Sequence, residues 1–168
     1  MLIRPAVPDE LAAVGELTVS AYAADGYLDG TEDYSDELRA AARRAELATL
    51  LVAVADRSNS VSQAGQLLGT ATFCLAGTPY AEVSRPGEAE FRMLAVAAQA
   101  RGQGVGAALV QSCIDLARTA GSTALALCSL QEMLPAHRIY QRIGFVRAPD
   151  RDWDPHAGLT LVAFVLAL

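Results

Sequence analysis

Seven consecutive residues, Arg101-Gly102-Gln103-Gly104-Val105-Gly106-Ala107, set three glycines at alternate positions between an apolar segment and a long helical pattern. The segment over 88–96 reads as a strand. Downstream, Val105, Leu109, Cys113, Leu116 and Ala120 fall on one face of a helix over 105–120, and Gly121 is its natural stop. Glycines let a backbone approach a ligand closely, and the free N–H groups and dipole of a helix start favour an anion. Pyrophosphate is the natural guest of such a turn, and Arg101 adds a charge-assisted contact.

The remaining elements arrange themselves around this turn. A short strand over 2–4 leads to Pro8, Asp9 and Glu10, which suit a first helical turn, and Leu11, Val14, Leu17 and Ala21 then recur at helical spacing. Ser35 is a plausible N-cap for a second helix over 36–49. Strands follow over 51–55 and 67–75, joined by a long polar turn. After the glycine turn and its helix come a strand over 123–130, a helix over 134–143 ending at Gly144, and closing strands over 145–147 and 159–168 separated by a polar loop. There is no repeat, low-complexity tract or linker, so residues 1–168 are expected to form one α/β domain.

Composition removes several chemistries. All 13 basic residues are arginine, so no lysine exists to form a Schiff base or to reach a nucleotide's terminal phosphates in a Walker-type loop. The net charge is −6, which argues against nucleic acid as a partner. Cys74, Cys113 and Cys128 are odd in number and widely spaced, the pattern of reduced core residues. His137 and His156 are too far apart for a one-face helical metal pair, so no metal is expected. Neither a signal-type apolar start nor a run of about 18 apolar residues occurs, which points to a cytoplasmic protein with no membrane partner. Charge is uneven: residues 57–149 hold an arginine excess, whereas Asp25, Asp29, Glu32, Asp33, Asp36 and Glu37 crowd one short acidic stretch.

Two kinds of pyrophosphate binder compete for the glycine turn. Gly102, Gly104 and Ala107 meet a degenerate Rossmann fingerprint, but Glu132 lies too far on for the ribose acid, and too little chain follows for a second half-sheet. The other match is broader. Arg101, Gly104 and Gly106, preceded by Leu94-Ala95-Val96 and followed by Ile139-Tyr140-Gln141-Arg142-Ile143-Gly144-Phe145, resemble the GCN5-related N-acetyltransferase (GNAT) family. The order of elements agrees over essentially the whole chain.

The resemblance implies an acyl-CoA N-acyltransferase fold, a central mixed, mostly antiparallel sheet with helices on both faces. It implies an acetyl-CoA-dependent N-acetyltransferase acting on a primary amine of a small molecule or peptide by direct attack. The alternatives are a non-catalytic acyl-CoA-binding module or a small dinucleotide-binding oxidoreductase. By position in the family, the backbone at Leu94, Ala95 and Val96 would bind the pantetheine arm of acetyl-CoA. Arg101, Gly102, Gln103, Gly104, Val105, Gly106 and Ala107 would cradle its pyrophosphate. Tyr140 matches the tyrosine whose hydroxyl protonates the departing thiolate, and Glu90, four residues before Leu94 on one strand face, matches a carboxylate that accepts the amine's proton. Glu88 shares that face, with Arg92 between them as a salt-bridge partner for either. Met133 stands where many members carry asparagine, and Ser129 is a substitute for it. The acceptor would lie near the acidic stretch and the segment Asp150-Arg151-Asp152-Trp153-Asp154, so a cationic amine is expected. The apolar segment 159–168 reads equally as a buried strand or as a strand pairing across a homodimer.

Overall fold

In a computed structural model the chain is described over residues 1–28, 32–58, 62–156 and 159–168. It forms two compact units, Met1–Phe73 with Met93–Ser112, and Cys74–Arg92 with Cys113–Leu168.

The first unit begins with β1 (Leu2–Pro5), a turn of 3-10 helix at Pro8–Glu10, and α1 (Leu11–Ala23). Arg4 clamps that turn, donating to both Glu10 oxygens at 2.6 and 2.9 Å, while Glu10 also accepts the Val7 N–H. The α1 face that is buried is Val14, Gly15, Thr18 and Ala21. Gly15 is required there, because a β-carbon would sit 2.3 Å from the Arg39 carbonyl oxygen. The single helix expected over 36–49 is two: α2 (Glu32–Arg39) and α3 (Ala41–Leu47), broken where Ala40 turns to ψ 51. Ser35 therefore lies inside α2 rather than capping it.

Arg44 of α3 explains the break. It is fully buried, and its guanidinium donates to the Leu38 carbonyl at 2.6 Å, to Thr18 Oγ1 at 3.2 Å and to Thr72 Oγ1 at 3.3 Å. A buried charge persists only when hydrogen-bonded, and Arg44 does this by joining α1, α2 and, through Thr72, the second of the two strands that follow. These are β2 (Thr49–Val54) and β3 (Leu67–Leu75). β1 pairs antiparallel with β2, and β2 with β3. Val14, Ala41, Leu50, Val52 and Val54 form the core between helices and strands.

β3, β4 (Ala89–Val96) and α4 (Val105–Thr119) each continue from one unit into the other. Within the first unit, Ala97 donates its N–H to Leu68, and a β-carbon on Gly69 would lie 2.7 Å from the Ala95 carbonyl oxygen. Glycine at 69 thus sets how closely β3 approaches the end of β4.

In the second unit, β5 (Ala124–Leu130) pairs parallel with the start of β4, at Ala89↔Leu125 and Glu90↔Ala126. α5 (Leu134–Ile143) ends at Gly144, whose φ of 112 permits the N–H groups of Gly144 and Phe145 to turn back onto the Tyr140 carbonyl. β6 (Val146–Arg147), β7 (Trp153–His156) and β8 (Leu159–Ala167) complete it. The polar loop expected between the closing strands contains β7, which pairs with β8.

β8 runs antiparallel to β5 along seven residue pairs and also pairs with β6 and β7. The closing strand therefore has ladder partners within its own chain, and it is not an edge for pairing across a homodimer. The pairing throughout is mostly antiparallel, a mixed α/β fold. It excludes the doubly wound parallel sheet that a dinucleotide-binding reading requires. Among the described residues no helix is long and apolar enough to cross a membrane.

Candidate active site

The glycine turn stands as the sequence places it. Gly102 and Gly104 have φ values of 74 and 80, conformations that side chains disfavour, and residues 101–104 are exposed. The Ala108 N–H makes its helical bond to the Gly104 carbonyl, so the N–H groups of Val105, Gly106 and Ala107 belong to the first turn of α4, where a helix leaves donors unused. Gln103 folds back to donate to the Gln99 carbonyl at 2.9 Å. This cradle fits a pyrophosphate. The Arg101 guanidinium contributes less than expected, since it is held by both oxygens of Asp25 and by the Ala21 carbonyl.

Upstream, the strand is not regular. Met93 has φ 51, the left-handed region, which non-glycine residues adopt at a cost of about 1 to 3 kcal/mol. Such strain gathers at functional segments, and Leu94, Ala95 and Val96 follow it directly. The pleat is interrupted between Glu90 and Leu94, so period-two counting does not establish that they share a face. In the second unit the recorded ladder with β5 takes in Ala89 and Glu90.

Glu90 is fully buried. Its Oε2 accepts three backbone N–H groups, from Glu82, Val83 and Ser84, each at 2.9 Å, and ties down the loop before β4. Its Oε1 has no hydrogen-bond partner among the described residues. The two neighbouring charges resolve differently from expectation. Arg151 takes both oxygens of Glu88 and, with the Arg85 N–H, holds its carboxyl below the usual range. Arg92 pairs with Glu82 at 2.6 Å and donates to the Tyr80 carbonyl. Glu90 is thereby left with one oxygen that no arginine is seen to claim.

Tyr140 is buried on α5 in a cluster of rings, with Phe91, Phe145 and Phe164 centroids 5.8 to 5.9 Å away. One turn earlier on α5, His137 packs at a tilt against Phe164, ring centroids 4.9 Å apart, and meets Ser129 Oγ through Nε2 at 3.2 Å. Burial lowers the His137 pKa, so its imidazole is neutral at pH 7. The Ser129–His137 pair was not foreseen, because it joins the end of β5 to α5 across eight positions, which no local spacing announces.

Four of the described aspartates in the acidic segments are paired with arginines. Asp25 holds Arg101, Asp36 holds Arg39, Asp150 holds Arg85 and Asp152 holds Arg147. Asp29 and the side chains of Glu32, Asp33 and His156 lie outside those described. Burial pushes the Cys74 thiol up to about 12 and raises Cys113 further, as befits inert core cysteines.

Comparisons with known proteins agree on one family. The model of the acetyltransferase (GNAT) family matches residues 16–145. An uncharacterized N-acetyltransferase of Schizosaccharomyces pombe is 35% identical over 77 residues, 46% of this chain and 45% of that protein; the match thus spans under half the length of that relative. Among solved structures, an acetyltransferase from Salmonella typhimurium determined with acetyl-CoA superposes with a TM-score of 0.66 at 23% identity, over 100% of this chain and 94% of that one. A GCN5-related N-acetyltransferase from Kribbella flavida gives 0.68 at 23% identity, over 99% and 97%. At those identities the structures speak for the fold, and the family model for descent: the chain belongs to the GNAT family of acetyltransferases.

Proposed function

We propose that the protein is an acetyl-CoA-dependent N-acetyltransferase that acetylates a primary amine of a small molecule or peptide by direct attack. The observation that carries this is the junction of β4 and α4, where the strained Met93 precedes Leu94, Ala95 and Val96, and two left-handed glycines open a 15-residue helix. An anion-binding helix start behind an irregular strand end suits a long cofactor with a pyrophosphate at one end. Leu94, Ala95 and Val96 supply backbone groups to the pantetheine arm. Gly102, Gln103, Gly104, Val105, Gly106 and Ala107 supply N–H groups to the pyrophosphate, while Arg101 shapes the turn through Asp25 rather than neutralising phosphate directly.

Acetyl-CoA brings a thioester carbonyl whose sulfur can leave. The amine nitrogen forms the new C–N bond as the C–S bond breaks. Glu90, through its unpartnered Oε1, takes the proton that the nitrogen loses, and the Tyr140 hydroxyl gives one to the sulfur. The packed rings around Tyr140 fix its orientation. No covalent enzyme intermediate is involved, because the cysteines are held as thiols by burial. The four Asp–Arg pairs leave those aspartates little free charge with which to select a cationic acceptor, so charge preference rests on other groups. The reading places the protein in the cytoplasm.

The test is a thermal-shift titration with acetyl-CoA, CoA, NAD and NADP in parallel. A ligand of the folded state adds about 2.7 kcal/mol at a hundredfold excess over its dissociation constant. Saturable stabilisation by acetyl-CoA and CoA, with none by NAD or NADP, is the expected result. Stabilisation by neither CoA compound would reject the cofactor and every role derived from it.

A further inference from the structure

Three acceptors in the second unit converge beside the loop that Glu90 anchors. An oxygen of Glu82, an oxygen of Glu90 and the Cys128 sulfur all lie within 4.8 Å of one another. Glu90 is fully buried and its Oε1 lacks a partner, whereas Glu82 is exposed, so the cluster is closed on one side and open to solvent on the other. A buried carboxylate oxygen without a donor is costly, and something with N–H groups to give would relieve it.

Two guests suit acceptors this close. A primary ammonium carries three N–H groups in tetrahedral directions, and acceptors about 2.8 Å from its nitrogen stand about 4.6 Å apart, inside the 4.8 Å span. A zinc ion draws its ligands in to about 2.0 to 2.3 Å, and the same span admits it. Charge separates the two guests. Arg92 already pairs with Glu82 at 2.6 Å, so two carboxylates and one guanidinium leave a single negative charge. A monocation balances it; a dication would exceed it and face Arg92. Burial also pushes the Cys128 thiol up to about 12, so at neutral pH it is a thiol, able to accept a hydrogen bond but not the thiolate that zinc takes.

We propose that Glu82, Glu90 and Cys128 form a binding subsite for a primary ammonium group, the amine of the acceptor substrate. This rests on the acetyltransferase reading and deepens it. Glu82 and Cys128 position the nitrogen, and Glu90 Oε1 both binds it and receives the first of the two protons that an ammonium loses on becoming an amide; the second replaces the one that Tyr140 gives to the sulfur. The three N–H groups of residues 82–84 occupy Glu90 Oε2 and leave Oε1 as the oxygen with no donor of its own. An acceptor whose amine is tertiary or quaternary has too few N–H groups for the three acceptors.

The chain has a single tryptophan, Trp153, whose indole lies beside the Cys128 thiol, so its fluorescence reports on the subsite. The probes are n-butylammonium, tetramethylammonium, 1-butanol and zinc chloride. Saturable change with n-butylammonium alone is expected, weakened at least tenfold in Glu82→Gln and in Cys128→Ala. Both variants should keep the stabilisation by acetyl-CoA, and with an acetylatable amine should show a raised KM with kcat nearly unchanged. Equal response to tetramethylammonium or butanol, no response at all, or saturation by zinc without one by n-butylammonium would overturn the subsite. Unchanged amine KM in Glu82→Gln, in an enzyme that acetylates amines, would overturn it while leaving the acetyltransferase intact. Ammonium binding that Glu82→Gln weakens, in a protein that acetylates nothing, would keep the subsite and remove the acetyltransferase reading. Glu82 is exposed, so its variant tests the proposal even if substitutions at Glu90 impair folding.

Discussion

Arg101 gives both terminal nitrogens of its guanidinium to Asp25, at 2.8 and 2.9 Å, and so ties the start of the glycine turn to the end of α1. The sequence reading assigned this arginine to a phosphate. An ion pair with side chains 41% and 33% exposed contributes about 1 kcal/mol or less. Arg101→Gln should therefore change acetyl-CoA affinity by no more than a few fold. Gly104→Ala, at φ 80, forces a β-carbon into a conformation costing about 1 to 2 kcal/mol and should weaken binding about tenfold or more. Calorimetric titration of the two variants distinguishes backbone cradling from side-chain charge as the main source of affinity.

Arg44 is the polar centre of the first unit. Replacing it with alanine removes the donors to Thr18, Thr72 and the Leu38 carbonyl and leaves a cavity. The expected loss is about 3 to 5 kcal/mol, read as a lowered urea midpoint. Arg44→Met, which refills the volume, should lose less. Equal stability of the alanine variant and the wild type would contradict the role assigned to this buried charge.

Glu88 predicts an acid response. Its folded pKa is depressed, chiefly by the Arg151 hydrogen bonds, so the stabilisation is present above the unfolded carboxylate value of about 4.3 and is lost as pH falls through the lower folded value. Glu88→Gln should melt below the wild type near pH 7, and the gap should close as pH drops below about 4. A gap independent of pH would mean the pair acts through shape rather than charge.

Local patterning carried much of this architecture. The bounds of β3 and α5 follow directly from apolar runs and from Gly144 as a stop, and α4 from its one-face periodicity. The α2–α3 break escaped, because the reason for it, a guanidinium reaching Leu38, Thr18 and Thr72, comes from residues far apart in the chain. β7 escaped because a proline and an aspartate fill half of its four residues, and only its pairing with β8 defines it as a strand. At the site, the glycine turn was legible since its chemistry is in consecutive residues. The pairings of Arg92 with Glu82, Arg151 with Glu88 and Ser129 with His137 were not, since each depends on how loops return to strands.

The central claim is acetyl transfer to an amine, and its most direct measurement follows CoA release together with the acetylated amine, in wild type and in Tyr140→Phe. The account predicts one CoA per acetylated amine in the wild type. In the variant, kcat should fall by about a hundredfold or more, while stabilisation by acetyl-CoA is retained. Amine acetylation at an undiminished rate in Tyr140→Phe would remove the proton donor from the mechanism. A wild-type protein that binds acetyl-CoA but acetylates no amine in a broad panel would contradict the enzyme itself and leave an acyl-CoA-binding module.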